Sequence, residues 1–146
     1  MNDLAARHGV RWLISTSRRT RRTGEDALRE SLAPDNVAYA VWWSQREERI
    51  LGDLMGAAER LFVTVDSMSM ISESIAAAKP LILVHTGDGV PNQRYQDALA
   101  KYQHLGLCGN HEVGAAVDDH LVAPPSLSAL VEPQIDELAR RIAPPC

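Results

Sequence analysis

The chain has 146 residues, 45% apolar and 23% charged, which suits one globular domain, residues 1–146, with a buried core of its own. Its formal net charge of −4 excludes nucleic-acid binding driven by bulk electrostatics. No apolar run approaches the ~18 residues of a membrane span, no secretion signal opens the sequence, and two cysteines, Cys108 and Cys146, indicate free thiols, so the cytoplasm is the expected location.

The first strand and the first helix are predicted on either side of an arginine-rich segment. Trp12–Thr16 is a largely apolar run that ends in hydroxyl side chains, and residues 18–22 contain four arginines. Thr23 has the position of an N-cap, with Asp26 completing a near-capping box and Glu25 at the positive end of the helix dipole. We therefore predict a helix of about two turns after Thr23.

Apolar runs and helical spacing then alternate through the centre of the chain. Val37–Trp42 predicts a strand buried on both faces, and residues 47–60 predict an amphipathic helix. Leu61–Val65, Met68–Ala78 and Leu81–Val84 follow as strand, helix and strand. Two such strands joined by a helix of about three turns almost always lie in a parallel sheet with a right-handed crossover.

The last third of the chain predicts further helices and a short edge strand. Pro91 and Asn92 begin a helix, residues 106–111 are predicted as a loop and Val113–Val117 as an edge strand. A short helical turn over Ser126–Val131 precedes the final helix, in which Pro133 has the first position. Four strands alternating with four or five helices predict a three-layer α/β/α sandwich with a mostly parallel, Rossmann-like sheet.

Small hydroxyl side chains crowd the start of the central helix. In parallel α/β sheets a ligand sits at the carboxyl ends of the strands, against helix amino ends whose free N–H groups favour an anion. One interpretation is a serine N-cap with a solvated Glu73. The other is a phosphate pocket in which Glu73 accepts hydrogen bonds from a vicinal diol such as a ribose. The residues at this helix start are Asp66, Ser67, Met68, Ser69 and Met70.

The ends of the other strands add charged and aromatic side chains. Arg18 and Arg19 could contact phosphate oxygens bidentately or lie in a solvated basic loop. Trp42 or Trp43 could stack on a base or sugar, although one of the two fits the core. His85 could contact a sugar or act as an acid or base, or it could be structural.

Several common functional sites are disfavoured by spacing. No G-x-G-x-x-G and no P-loop follows a strand, which argues against a dinucleotide dehydrogenase and an NTPase. Cys108, His104 and His111 are close in sequence but lack the pattern of a zinc site, so no metal ion is expected.

Two motifs together resemble a known family. The segment VTVDSMSMISESIAAAKPLILV and the STSRRT after the first strand are similar to the plant mitochondrial-fission factor of the elongated-mitochondria type and its bacterial relatives, whose pattern is close to V-T-x-D-S-x-S-M-x-S-E-A-x-x-x-G-x-P. Lys79 stands where these proteins usually have glycine, at a helix end that favours positive φ. The bacterial relatives are often described as nucleoside-diphosphate-sugar epimerases.

The central unit also resembles the carboxyl-terminal Rossmann-like domain of GT-B glycosyltransferases. SESIAAAKP is similar to the Ser-Glu-x-x-Ala-Ala-Gly-x-Pro segment of the transferase that adds N-acetylglucosamine to lipid-linked peptidoglycan precursor. The resemblance implies that the helix start from Ser67 to Met70 holds the diphosphate of a nucleotide sugar, without a metal ion or other cofactor, and that Glu73 binds the ribose. It also implies that Ser17, Arg18 and Arg19 face the diphosphate.

The size of the chain limits what the GT-B resemblance can mean. A complete GT-B enzyme has an amino-terminal domain that supplies the acceptor site and usually the catalytic base, and 146 residues are too few to contain it. The leading hypothesis is therefore the nucleotide-sugar-binding half of a GT-B-like glycosyltransferase, which would be an enzyme only with that missing Rossmann-like domain. The alternative is a non-catalytic interaction or scaffold domain of the fission-factor family. A sugar-nucleotide epimerase is disfavoured, because the nicotinamide type needs the absent glycine motif and the hydrolysing type needs both domains.

Overall fold

Parallel strands joined by helices make up the chain, which has a mixed α/β fold of the Rossmann-like type. The computed structural model describes residues 1–46, 48–85, 92–114, 135–136 and 139–141. It divides into two compact units, Met1–Ala58 and Glu59–Cys146, here called the first and second unit. None of the helices described has the length and hydropathy to span a bilayer.

The first unit contains a two-stranded parallel sheet with helices before, between and after its strands. Trp12 pairs with Val37 and Ser15 with Val41. Its buried side chains include Ile14, Leu32 and Met55. The elements are α1 (Asn2–His8), β1 (Trp12–Ser15), α2 (Arg21–Ser31), a 3-10 turn (Pro34–Asn36), β2 (Val37–Val41) and α3 (Leu51–Ala57).

Three predictions for the first unit are wrong in detail. The amphipathic helix predicted over residues 47–60 is shorter, since α3 spans only Leu51–Ala57. Helix α2 begins at Arg21 and not after Thr23, because the tight turn before it places Thr20 at the N-cap position. Glu25 and Asp26 therefore lie in the second turn of α2, where Asp26 cannot complete a capping box and Glu25 is not at the positive end of the helix dipole. Strand β2 is not buried on both faces, because Tyr39 is 46% exposed.

The second unit contains a three-stranded parallel sheet in the order β3-β4-β5. Leu81, Ile82 and Leu83 in the central strand are 3%, 2% and 0% exposed, as expected for a strand with neighbours on both edges and covered faces. The predicted β-α-β unit is confirmed, with Leu61 paired to Leu81 and α4 in contact with both strands. The elements are β3 (Leu61–Thr64), α4 (Met68–Ala76), β4 (Leu81–His85), α5 (Gln93–His104) and β5 (Gly109–Glu112).

The edge strand lies earlier than predicted. Residues 106–111 are not all loop, because Gly109–Glu112 forms β5 and pairs with β4 in parallel. The polar sequence of this segment has low strand propensity, and the backbone hydrogen bonds to β4 override it. Val113 donates one further bond to the carbonyl of His85 at 2.9 Å, and residues 115–117 lie outside the described range.

The prediction that Lys79 has the positive φ at the end of α4 is wrong by one residue. Ala78, and not Lys79, has the positive φ, 53°, and its N–H donates to the carbonyl of Ile75 at 3.0 Å. Counted back from Pro80, the glycine of the fission-factor pattern also falls on position 78. The helix thus ends with a left-handed residue in the way that helices commonly do, but with alanine in the place of glycine.

The predictions near the carboxyl terminus lie mostly outside the described residues. Asn92 is the N-cap of α5, and its side chain accepts a hydrogen bond from the N–H of Tyr95 at 3.2 Å, which confirms the predicted helix start. The loop residues 86–90, the turn over 126–131 and Pro133 are not described.

Candidate functional site

The amino end of α4 presents backbone N–H groups without a side-chain cap. Ser67 is the N-cap residue, with extended backbone at φ −130° and ψ 94°, and within the described residues its hydroxyl makes no capping hydrogen bond. It lies instead 3.3 Å from the hydroxyl of Ser69. The capping bond of an ordinary serine N-cap is therefore not made here, although Ser67 has the N-cap position.

The side chains around this helix start differ in exposure. Ser69 and Glu73 are exposed, whereas Ser67, Met68 and Met70 are half-buried. Because Ser69 and Glu73 are four residues apart on α4, they share one face of the helix. A ligand that contacts Ser69 can therefore extend along the helix toward the Glu73 carboxylate.

Two further residues flank the start of α4 within the second unit. Asp66 follows β3, and its exposed carboxylate accepts a hydrogen bond from the hydroxyl of Thr64 at 2.5 Å. His85 is the half-buried last residue of β4. Because Thr64 pairs with Val84 in register, Asp66 and His85 lie at the same end of the parallel sheet. The sequence correctly placed both residues at strand ends.

In the first unit, the arginine-rich segment is a tight turn between β1 and α2. The N–H of Thr20 donates to the carbonyl of Ser17 at 2.9 Å, and the hydroxyl of Thr20 accepts from the N–H of Ser17 at 3.2 Å. The Ser17 hydroxyl in turn accepts from the N–H of Arg19 at 3.2 Å. The side chains of Arg18 and Arg19 are exposed, so this closed turn displays two cations next to a hydroxyl.

Glu25, on α2, is a buried carboxylate. From the sequence it was predicted to interact with the positive end of the helix dipole. Glu25 is 1% exposed, and it accepts hydrogen bonds from the hydroxyls of Thr16 and Ser44 and, at 3.2 Å, from the N–H of Ser44. Burial opposes ionisation of Glu25, but the hydrogen bonds from Ser44 and Thr16, with the charge of Arg29, outweigh it and hold the pKa below its ordinary value. Glu25 is therefore ionised at neutral pH.

A sequence signal for this burial existed. Glu25 lies three residues before Leu28 and seven before Leu32, which is the spacing of one helix face. Leu32 is buried at 6% exposure. The incorrect helix start at Thr23 obscured this relation, since it assigned Glu25 to the first turn as a charge that interacts with the helix dipole.

Trp42 and Trp43, which follow β2, differ in their surroundings. Trp42 is half-buried, and the guanidinium of Arg29 lies over its ring, 4.5 Å from the centroid. Trp43 is 40% exposed, and its backbone N–H donates to the hydroxyl of Thr16 at 2.9 Å. Trp43 is thus the one available for stacking on a ligand.

A groove of about 370 Å³ opens beside Trp42 in the first unit. Its lining is mostly apolar, with Arg29 as the charged member. Nε and Nη2 of Arg29 are buried and have no hydrogen-bond partner among the described residues. The lining residues are Arg29, Leu32, Pro34, Val37, Ala38, Tyr39, Ala40 and Trp42.

Two other kinds of candidate site were the Cys108 thiol and a group of metal ligands. Burial raises the pKa of the Cys108 thiol to about 11, so it is protonated and a poor nucleophile at neutral pH. In the parts of the chain that the structure describes, no three His, Cys, Asp or Glu side chains are grouped as metal ligands.

A family model described as "Mitochondrial fission ELM1" matches residues 1–141. The matched range contains both the arginine-rich turn after β1 and the β3-α4-β4 unit. No curated protein and no solved structure matches the chain.

Proposed function

The chain belongs to the mitochondrial fission ELM1 family, and within that family we propose that it binds the diphosphate of a nucleotide sugar at the amino end of α4. The observation that carries the proposal is the start of α4, where Ser67 has the N-cap position without making the cap. The first-turn N–H groups and the positive end of the helix dipole favour a bound anion over a neutral group.

In this proposal the residues along α4 contact different parts of the ligand. The N–H groups of Met68, Ser69 and Met70 contact phosphate oxygens, together with the hydroxyls of Ser67 and Ser69. Glu73, on the same exposed face as Ser69, accepts hydrogen bonds from the two ribose hydroxyls. A carboxylate is suited to this role because it accepts hydrogen bonds and cannot donate any when ionised.

The turn between β1 and α2 contributes positive charge. We assign Ser17, Arg18 and Arg19 to phosphate contacts, because the guanidinium fork matches phosphate geometry and the closed turn keeps both arginines exposed. In this proposal the arginines supply positive charge of the kind that a magnesium ion supplies in other nucleotide sites. Trp43 and His85 are proposed contacts of the base or sugar.

Catalysis requires more than this binding role. We propose that the chain acts as one nucleotide-sugar-binding domain and that transfer of the sugar needs a second Rossmann-like domain, as in GT-B glycosyltransferases. No residue is assigned as the catalytic base.

The test compares uridine diphosphate with inorganic pyrophosphate by titration calorimetry and thermal shift. We expect Glu73→Gln to weaken the affinity for uridine diphosphate by about tenfold and to leave the affinity for pyrophosphate unchanged. The reason is that pyrophosphate shares the diphosphate but lacks the ribose that Glu73 is proposed to bind. Arg18→Ala should weaken both ligands alike, and the exposed control Glu59→Gln neither. If no nucleoside diphosphate binds the wild-type protein at millimolar concentration, the proposal fails.

A second candidate function is protein binding, as a non-catalytic interaction domain of this family. The groove beside Trp42 favours it, because it combines an apolar lining and the 46% exposed Tyr39 with the charge of Arg29. Its expected occupant is a segment of a partner protein with one acidic side chain among apolar ones. The test expresses each variant in cells that lack this protein. The Tyr39→Asp variant would then fail to restore function, whereas the Glu73→Ala and Arg18→Ala variants would restore it. The reverse pattern would exclude this candidate.

A further inference from the structure

Two segments of the first unit are joined through one buried carboxylate. Thr16, at the end of β1, and Ser44, after β2, both donate hydrogen bonds to Glu25 on α2. Thr16 is followed directly by the Ser17–Arg19 turn, and Ser44 follows Trp43. The carboxylate therefore connects the segment that displays the arginines with the segment that displays the exposed tryptophan.

The Thr16 hydroxyl acts as the link between them. It donates to Glu25 Oε1 at 2.5 Å and accepts from the backbone N–H of Trp43 at 2.9 Å. The carbonyl of Val41, at 3.3 Å, is a second acceptor within reach of the same hydroxyl. Glu25 offers the closer and charged acceptor, and hydrogen bonds to a charged group are about twice as strong as neutral ones.

We propose that Glu25 is a positioning residue, which fixes the Arg18–Arg19 turn and Trp43 for ligand binding by orienting the hydroxyls of Thr16 and Ser44. The inference rests on the proposed function for its ligand, a nucleoside diphosphate. The positioning itself rests only on contacts within the first unit.

The burial of Glu25 supports this role over a surface one. An ionised carboxylate at 1% exposure is costly unless it is hydrogen-bonded, and here three donors from two other segments satisfy it. Arg29, one turn further along α2, adds favourable charge. A glutamate kept only for solubility needs none of these partners.

The experiment uses two matched pairs and an exposed control in the full chain. Glu25→Ala removes the acceptor, and Glu25→Gln keeps an acceptor oxygen and the side-chain shape. Thr16→Val removes the linking hydroxyl, and Thr16→Ser keeps it, so that the second pair decides the result if Glu25→Ala does not fold. Glu30→Ala, on the exposed side of the same helix, is the control.

The first measurement is ¹⁹F NMR of the protein labelled with 5-fluorotryptophan, without ligand. The chain has 3 tryptophans, and the Trp43 resonance is identified by its loss in Trp43→Phe. We expect Glu25→Ala and Thr16→Val to shift or broaden the Trp43 resonance, and Glu25→Gln, Thr16→Ser and Glu30→Ala to leave it near its wild-type position.

The second measurement is the affinity for uridine diphosphate of the folded variants. We expect Glu25→Ala and Thr16→Val to weaken it about tenfold, and the conservative partners to stay within about threefold of wild type. An unchanged Trp43 resonance with unchanged affinity in every disruptive variant that folds overturns the positioning role. If the wild-type protein binds no nucleotide, the proposed function fails, and the Trp43 resonance alone decides whether Glu25 positions these segments.

Discussion

Replacing Ala78 by glycine tests the backbone at the end of α4. Ala78 has a φ of 53°, in the left-handed region where a side chain costs about 1–2 kcal/mol and glycine costs nothing sterically. The greater freedom of glycine in the unfolded chain takes back about 0.5–1 kcal/mol. We therefore expect Ala78→Gly to raise the free energy of unfolding by about 0.5–1 kcal/mol, and the melting temperature by about 1–4 °C.

The assay is urea unfolding followed by circular dichroism, with two controls close in sequence. Ala76→Gly changes the last residue of α4 and should lower the free energy of unfolding by about 0.5–1 kcal/mol, because that residue is helical. Lys79→Gly tests the position first inferred from the family resemblance and should not stabilise the protein. Destabilisation by Ala78→Gly, or stabilisation by Lys79→Gly, would refute the assignment of the left-handed residue to position 78.

Three further predictions concern the core, the buried charge and a helix cap. Leu83→Ala should lower the free energy of unfolding by about 2–5 kcal/mol in urea titrations, because this side chain is 0% exposed and leaves a cavity. Folding lowers the pKa of Glu25. The contribution of Glu25 to the free energy of unfolding is therefore fully present above its unfolded pKa and is lost as pH falls through its folded pKa. The stability difference between wild type and Glu25→Gln should therefore shrink in acid unfolding curves, and a constant difference would contradict the depressed pKa. Asn92→Ala removes the side-chain cap on the Tyr95 N–H and should lower the free energy of unfolding by about 1 kcal/mol in urea titrations. Asn92→Ser should retain most of this free energy, because serine is also a favoured N-cap residue.

Features that depend on local sequence were predicted well. The β3-α4-β4 unit was placed within two residues at each end, since apolar β-branched runs and helical spacing are properties of neighbouring residues. The start of α5 at Asn92 was predicted for the same reason, because an N-cap is recognised from the residues next to it. The end of β1 was predicted within one residue, but the start of α2 was not, since the hydrogen bonds between Ser17 and Thr20 give no hydrophobic signal.

The amino-acid sequence by itself determined the α/β class, the parallel β-α-β unit and the family, because each rests on motifs and periodicity within short stretches. The burial of Glu25, the exposure of Tyr39 and the strand at Gly109–Glu112 were decided only by tertiary structure. Two of these depend on partners distant in the chain: the hydroxyls of Thr16 and Ser44 for the carboxylate, and the backbone of β4 for the edge strand. Such partners contribute free energy that local propensity does not contain.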